Sequence, residues 1–248
     1  MKRLSEATPD DFRRLLDRVG GLPGFASAEE AAQAFVGILY DYFRESLVLL
    51  RLFTTVRYSE LTAPDRQFVD RRGIDTGTAH LITGITPIFT LLGTRGRDAD
   101  WNERRESQHF RCIPLASTAF VASLSMLSMQ FKSVGFDLDL IDDWNAALTA
   151  RGRADEYTGM LYVRDAGVDK DEQGRMIVPK HDFVSANNVR TVLGFGSGYA
   201  SHPTLVTLFA FTLENIEKST IEPLAPLLEA YMSMSEKLVG QGRIFRQE

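Results

Sequence analysis

The sequence predicts an α+β protein: a central antiparallel sheet with helices on its faces and helical extensions at both termini. Two apolar segments of strand length, Val189 to Phe195 and Leu205 to Phe211, flank a Gly/Ser/Pro-containing connection, the pattern of an antiparallel hairpin. Two more runs of that kind, Leu47 to Thr55 and Thr86 to Thr94, stand earlier in the chain. Helical patterns group around the strands, which gives the α+β class.

In chain order, Pro9-Asp10-Asp11 precedes Phe12, Leu15, Leu16 and Val19 at helical spacing, and Gly20-Gly21 ends this first helix. Ser27 and Glu30 fit a capping box, and Phe35, Ile38, Leu39 and Tyr42 continue one face to about Arg44. After the strand Leu47 to Thr55, Thr62-Ala63-Pro64-Asp65 opens a short helix through Val69. Thr86 to Thr94 ends in the turn-prone Arg95-Gly96-Arg97-Asp98. Phe110 to Leu115 reads as a strand that Pro114 confines to an edge or terminus. Ser117 to Phe131 carries a helical stripe, and Asp137 to Ala150 forms a further helix or helix-like turn. Met160 to Val163 is a strand and Asp165 to Gly174 a polar loop. The hairpin follows, with Gly196 to Pro203 as its connection. Ile221 to Val239 then places Leu224, Leu227, Leu228, Tyr231, Met234 and Leu238 near one helical seam, with Pro223 and Pro226 in its first turn. No internal repeat or Pro/Gly/Ser-rich linker divides the chain. We read 1–248 as one domain, with N-terminal helices over 1–45, a sheet core over 46–215 and a C-terminal helix over 220–240.

The 248 residues are 44% hydrophobic and 25% charged, as in ordinary globular domains. A net charge of -5 argues against a nucleic-acid partner, which would call for a basic surplus. The single cysteine, Cys112, offers neither an internal disulfide nor a Cys-based zinc cage, so a reducing, cytoplasmic setting is expected. The first residues lack an apolar signal core and no apolar run is long enough to span a bilayer, so neither secretion nor a membrane partner is expected.

Chemical motifs are sparse. Gly194-Phe195-Gly196-Ser197-Gly198 is followed by a strand, whereas a dinucleotide loop requires a helix there. Asp169 to Gly174 resembles the start of a calcium loop, but its twelfth position is Lys180, where a bidentate glutamate is required. Asp137, Asp139, Asp142 and Asp143 could divide acid and base duties, or simply solvate a helix start. The four histidines show no metal spacing, and no serine sits in a nucleophile elbow. His109 and Cys112 would face opposite sides of a strand, which favours an inert, buried thiol over a Cys-His nucleophile. Trp101-Asn102-Glu103-Arg104-Arg105 joins an aromatic ring to two guanidinium groups that could receive an acidic ligand or pair with local acids.

Several segments together resemble a family of bacterial GAF-like sensory domains, often joined to histidine kinases. These are LVLLRLFTTVRYSELTAPDRQF (Leu47 to Phe68), FTLLGTRG with WNERR (Phe89 to Arg105), CIPLASTAFV (Cys112 to Val121) and DFVSANNVRTVLGFGSGYASHPTLVTLFAFT (Asp182 to Thr212). The likeness keeps its order over roughly two-thirds of the chain and implies a GAF/PAS-like layout with a pocket between the sheet and its covering segments. It does not extend to pigment attachment, because Ile113 follows Cys112 where bilin-binding relatives commonly carry histidine. The signature of cyclic-nucleotide-binding relatives is also absent, so no cofactor is named.

The resemblance implies a non-catalytic sensory module whose ligand pocket is lined from Phe89, Trp101, Arg104, Arg105, Phe110, Cys112, Arg190 and Phe195. Its expected partners are a small-molecule ligand, a second copy of the chain paired through the C-terminal helix, and a downstream signalling protein. Two alternatives belong to other classes: a small-molecule enzyme using the Asp137 to Asp143 carboxylates or Cys112, and a structural dimerisation protein with a filled core.

Overall fold

Buried backbone amides need partners, so apolar runs of strand length form a sheet wherever their neighbours complete the ladder. The computed structural model describes residues 2–144 and 157–247. Its strands are β1 (Leu47–Arg57), β2 (Pro87–Gly96), β3 (Cys112–Pro114), β4 (Thr158–Val163), β5 (Val192–Gly198) and β6 (Leu205–Thr212). They form one sheet in the order β3-β2-β1-β6-β5-β4, with every pairing antiparallel. The expected layout is therefore present: a central antiparallel sheet, helices on its faces, and helical extensions at both ends.

The helices are α1 (Pro9–Gly20), α2 (Ala28–Tyr42), α3 (Ala63–Thr76), α4 (Thr118–Ser123), α5 (Ser125–Ser133), α6 (His181–Ala186), α7 (Lys218–Ile221) and α8 (Ala225–Gly240). Ser27 caps α2 by accepting from the Glu30 amide, while the Glu30 carboxylate reaches back to the Ala26 amide. The helix α3 outruns its expected end at Val69 and stops at Gly77, which takes the left-handed conformation at φ 70°. The stripe over Ser117 to Phe131 is split at Leu124, whose ψ of 86° breaks the helix into α4 and α5. The sequence reading did not anticipate α6. Of the segment Asp137 to Ala150, Leu138–Asp143 forms a 3-10 turn, and residues 145–150 lie outside the described residues.

The main boundary correction concerns the Gly-rich corner. β5 pairs with β6 from Val192↔Phe211 to Gly198↔Leu205, so the glycines lie inside the strand and the connection shrinks to residues 199–204. Their role is close approach. A Cβ at Gly196 would stand 2.6 Å from Gln130 Nε2, so α5 can lie flat against the sheet only over glycine. On the opposite face, a Cβ at Gly93 would stand 2.6 Å from the Ala32 carbonyl of α2. Arg95-Gly96, expected in a turn, complete β2 instead.

The sheet divides two apolar clusters. The first packs α1, α2 and α8 against Leu52, Ile88, Leu193, Phe195 and Leu208. The second packs α4, α5 and nearby loops against Phe53, Phe89, Leu91, Phe209 and Phe211. Leu227, Leu228, Tyr231, Leu238 and Val239 of α8 are buried in the first cluster. The seam expected to pair with a second copy is thus covered by the chain's own helices and sheet. Among the described residues no helix is long and apolar enough to cross a membrane.

Candidate functional site

Strand alternation decides which side chains meet on the second face. In β1, Leu49, Arg51 and Phe53 leave the sheet on that side. They lie beside Phe211, Phe209 and Thr207 of β6 and beside Gly96, Thr94 and Leu91 of β2. The count holds across β2 because Leu92 is an extra residue, inserted where the register shifts between Leu52 and Phe53.

Helices α4 and α5 cover only part of this face. The remainder forms a cavity of about 510 Å³, within the ordinary range for small-molecule sites. Its floor is Leu49, Arg51, Phe53, Phe89, Phe209 and Phe211. Its walls come from Trp101, Phe110 and Ile113, from Leu124, Met126 and Leu127, and from Val178, Pro179 and Phe183. Phe53 stacks on Phe89 at 4.7 Å, and Phe209 meets Phe53 edge-on at 5.9 Å. Trp101 meets Phe183 edge-on at 5.5 Å, and Phe183 meets Phe211 at 5.4 Å. Offset and edge-on ring contacts of this kind hold the floor and walls in a fixed shape.

The covering loop, residues 98–110, is fastened at several points. Thr94 Oγ1 donates to the Trp101 carbonyl at 2.7 Å, and the Gly96 amide donates to Asn102 Oδ1 at 2.8 Å. From α2, Gln33 Nε2 donates to the Thr94 carbonyl at 2.9 Å and accepts from the Thr94 amide through Oε1 at 3.1 Å. The mouth carries Asp100, Glu103, Glu106, Gln108, His109 and Lys180. Burial lowers the His109 pKa below its ordinary value, and the charges of Lys180, Arg72 and Arg51 add to that effect.

The structure disperses the site residues expected from sequence. Phe89, Trp101 and Phe110 line the cavity. Arg105 is exposed and outside the lining. Arg104 points away from the cavity into a buried cluster: its Nη2 lies 2.7 Å from Asp65 Oδ2 and its Nε 3.9 Å from Glu29 Oε2. Its guanidinium sits 5.1 Å from the Phe245 ring. Arg111 Nε takes the other Asp65 oxygen at 2.6 Å. Cys112 pairs with Thr90 and joins the first cluster, across the sheet from the cavity. Burial pushes its thiol up to about 12. Phe195 also faces the first cluster, and Arg190 is exposed just before β5. The sequence reading missed Arg51, although a lone charge in the apolar run LVLLRLFTT was the available signal.

The alternative catalytic groups also lie off the cavity. Asp137 accepts from the Asp139 amide at the start of a 3-10 turn, and none of Asp137, Asp139, Asp142 and Asp143 lines it. The polar loop uses Asp171 internally. Burial raises that carboxyl, but Arg175 and the amides of Arg175 and Gln173 outweigh it and hold it at about 2. Among the described residues no acidic, histidine or cysteine cluster could hold a metal ion.

No family model matches the sequence, and no curated protein matches it. Two solved structures show a loose likeness. One is free methionine-R-sulfoxide reductase from Neisseria meningitidis in complex with its substrate, at TM-score 0.48 and 11% identity, covering 95% of this chain and 96% of that one. The other is the chromophore-binding domain of the bacteriophytochrome RpBphP3 from R. palustris, at TM-score 0.43 and 7% identity, covering 94% of this chain and 62% of that one.

Proposed function

We propose that this chain is a non-catalytic sensory domain of the GAF-like kind, which binds a small molecule in the cavity over β1, β2 and β6. The observation that carries this reading is a half-covered sheet face whose aromatic floor encloses about 510 Å³ rather than a filled core. Nucleophilic chemistry is disfavoured because the Cys112 thiol, held near 12, is almost fully protonated at neutral pH and faces the other layer.

A route for relay is built into the covering loop. Trp101 lines the cavity, while Arg104 in the same loop grips Asp65 of α3 and approaches Glu29 of α2. The Glu29 amide donates to the Ile244 carbonyl, and its carboxylate accepts from the Arg246 amide. A ligand that favours one loop position shifts the terminal helices by as much as its affinity differs between the two positions. The output is then read by a partner protein that contacts those helices.

The test is native mass spectrometry of purified protein beside Met126→Trp, which places a large ring in the cavity. A small molecule retained by the parent chain and lost from the variant supports the proposal. A ligand-free parent chain that a small-molecule library fails to stabilise against heat removes it.

A further inference from the structure

The geometry points to an amphipathic ligand: an aromatic or branched apolar carboxylic acid whose carboxylate pairs with Arg51. This inference rests on the cavity being a ligand site and adds the chemistry of what fills it.

Arg51 occupies the middle of the central strand β1, between Thr94 and Phe209 in the ladder, and its side chain joins the cavity floor. Two residues away on either side along that face lie Leu49 and Phe53. Its Nε is buried without a hydrogen-bond partner. Among the described residues no carboxylate lies within ion-pair distance of it. Asp100, Glu103 and Glu106 stand at the mouth, but none of them reaches it. Burial by itself lowers its pKa to about 10, with no carboxylate contributing in the opposite direction. The group therefore stays cationic at neutral pH while removed from much of its water.

The Arg51 side chain as a whole is half-buried, but an unpaired charge drawn partly out of water is still costly, and proteins ordinarily supply a partner. Arg104 and Arg111 show that rule elsewhere in this chain, since both converge on Asp65. Arg51 contrasts with them: its Nε is unpaired, as is that of Arg95 beside Leu50, but of these two Arg51 is the one that lines the cavity. A guanidinium presents a planar fork that matches a carboxylate through paired hydrogen bonds. The aromatic floor beside it suits an apolar body. A phosphate dianion is a poorer match: it would meet one guanidinium and Lys180, with three carboxylates around the mouth to repel its second charge.

The experiment measures binding of matched pairs by calorimetry. Phenylpropionate, indole-acetate and naphthoate are each compared with the corresponding carboxamide, on the parent chain, Arg51→Gln and Arg51→Lys. The acids are expected to bind the parent chain at least about tenfold tighter than their amides. That preference should vanish in Arg51→Gln and persist in part in Arg51→Lys, while amide binding is unchanged. Equal binding of acids and amides by the parent chain overturns the carboxylate inference and leaves the cavity as a ligand site. A preference that survives in a folded Arg51→Gln also overturns it. Failure of both acids and amides to bind overturns the inference about the ligand's class, while the ligand-binding reading stands or falls with the native mass spectrometry and thermal library screen.

Discussion

Arg104 Nη2 donates to Asp65 Oδ2 at 2.7 Å, and both side chains are almost wholly removed from solvent, at 2% and 0% exposure. The pair ties the cavity loop to α3, and Arg111 completes it at 2.6 Å. Breaking one half of such a pair leaves a charge buried without its counterpart. Asp65→Asn, which strands two guanidinium groups, is expected to lower stability by about 3–5 kcal/mol. Chemical denaturation of the variant beside the parent chain checks this, and a change inside ±0.5 kcal/mol would refute it.

Trp101 offers an optical handle on the cavity. It lies in the wall against Phe183, whereas Trp144 is buried among Phe131 and Phe136. A ligand seated in the cavity should alter the emission of Trp101 and leave that of Trp144 in place. Fluorescence titration with phenylpropionate, whose phenyl ring does not emit in the tryptophan range, should give a saturable change in the parent chain and none in Trp101→Phe. A change of the same size in Trp101→Phe would place the ligand elsewhere.

Gly93 permits α2 to lie directly on β2. A methyl there would meet the Ala32 carbonyl at 2.6 Å, and a backbone oxygen cannot swing aside. Gly93→Ala should therefore cost about 1–3 kcal/mol through displacement of α2. The urea midpoint would fall, and a midpoint equal to that of the parent chain would disprove the close contact.

Gln130 is fully buried on α5, and neither its Oε1 nor its Nε2 has a hydrogen-bond partner. Removing an unsatisfied amide at nearly constant volume should help rather than harm. Gln130→Met is expected to be neutral or to gain about 1 kcal/mol. A loss of stability would reveal a partner that the amide needs.

Cys112 should be silent toward thiol reagents in the native state and react at once in denaturant. Its protonated form is favoured by burial, and the nearby Asp65 carboxylate adds to that preference. Because the folded value, about 12, exceeds the ordinary 9.0, this contribution to stability is fully present below pH 9.0 and is lost as pH rises through 12. By about pH 10.5 the parent chain should have lost on the order of 1–2 kcal/mol more than Cys112→Ala. Parallel pH curves for the two proteins would show that the thiol is not desolvated.

Much of the sheet was legible because β1, β2, β5 and β6 are apolar runs of strand length. Pro114 marked β3 as an edge, since proline cannot donate to a further ladder. What local pattern hid was tertiary. The glycines of β5 look like a corner until Gln130 is seen lying over them. The WNERR segment could be read either as ligand-facing or as pairing with local acids; Trp101 lines the cavity, whereas Arg104 pairs with acids, though with the distant Asp65 and Glu29 rather than its sequence neighbours. Half of the cavity floor comes from one face of β1, and face assignment needs a register that one strand alone does not provide. Arg51 was visible as a lone cation among aliphatic neighbours, and only the pairing of β1 on both sides shows that it projects into an enclosed space.

The extra residue Leu92 has a consequence for how this sequence can change. It acts as a phase slip: odd-numbered Phe89 and Leu91 and even-numbered Thr94 and Gly96 all look toward the same layer. Deleting one residue between Leu91 and Thr94 would remove the bulge and restore regular alternation, with both ends of β2 still facing their present layers, whereas inserting one would exchange inside for outside along one end of the strand. Natural length variation at this spot should therefore consist of the loss of one residue rather than the gain of one.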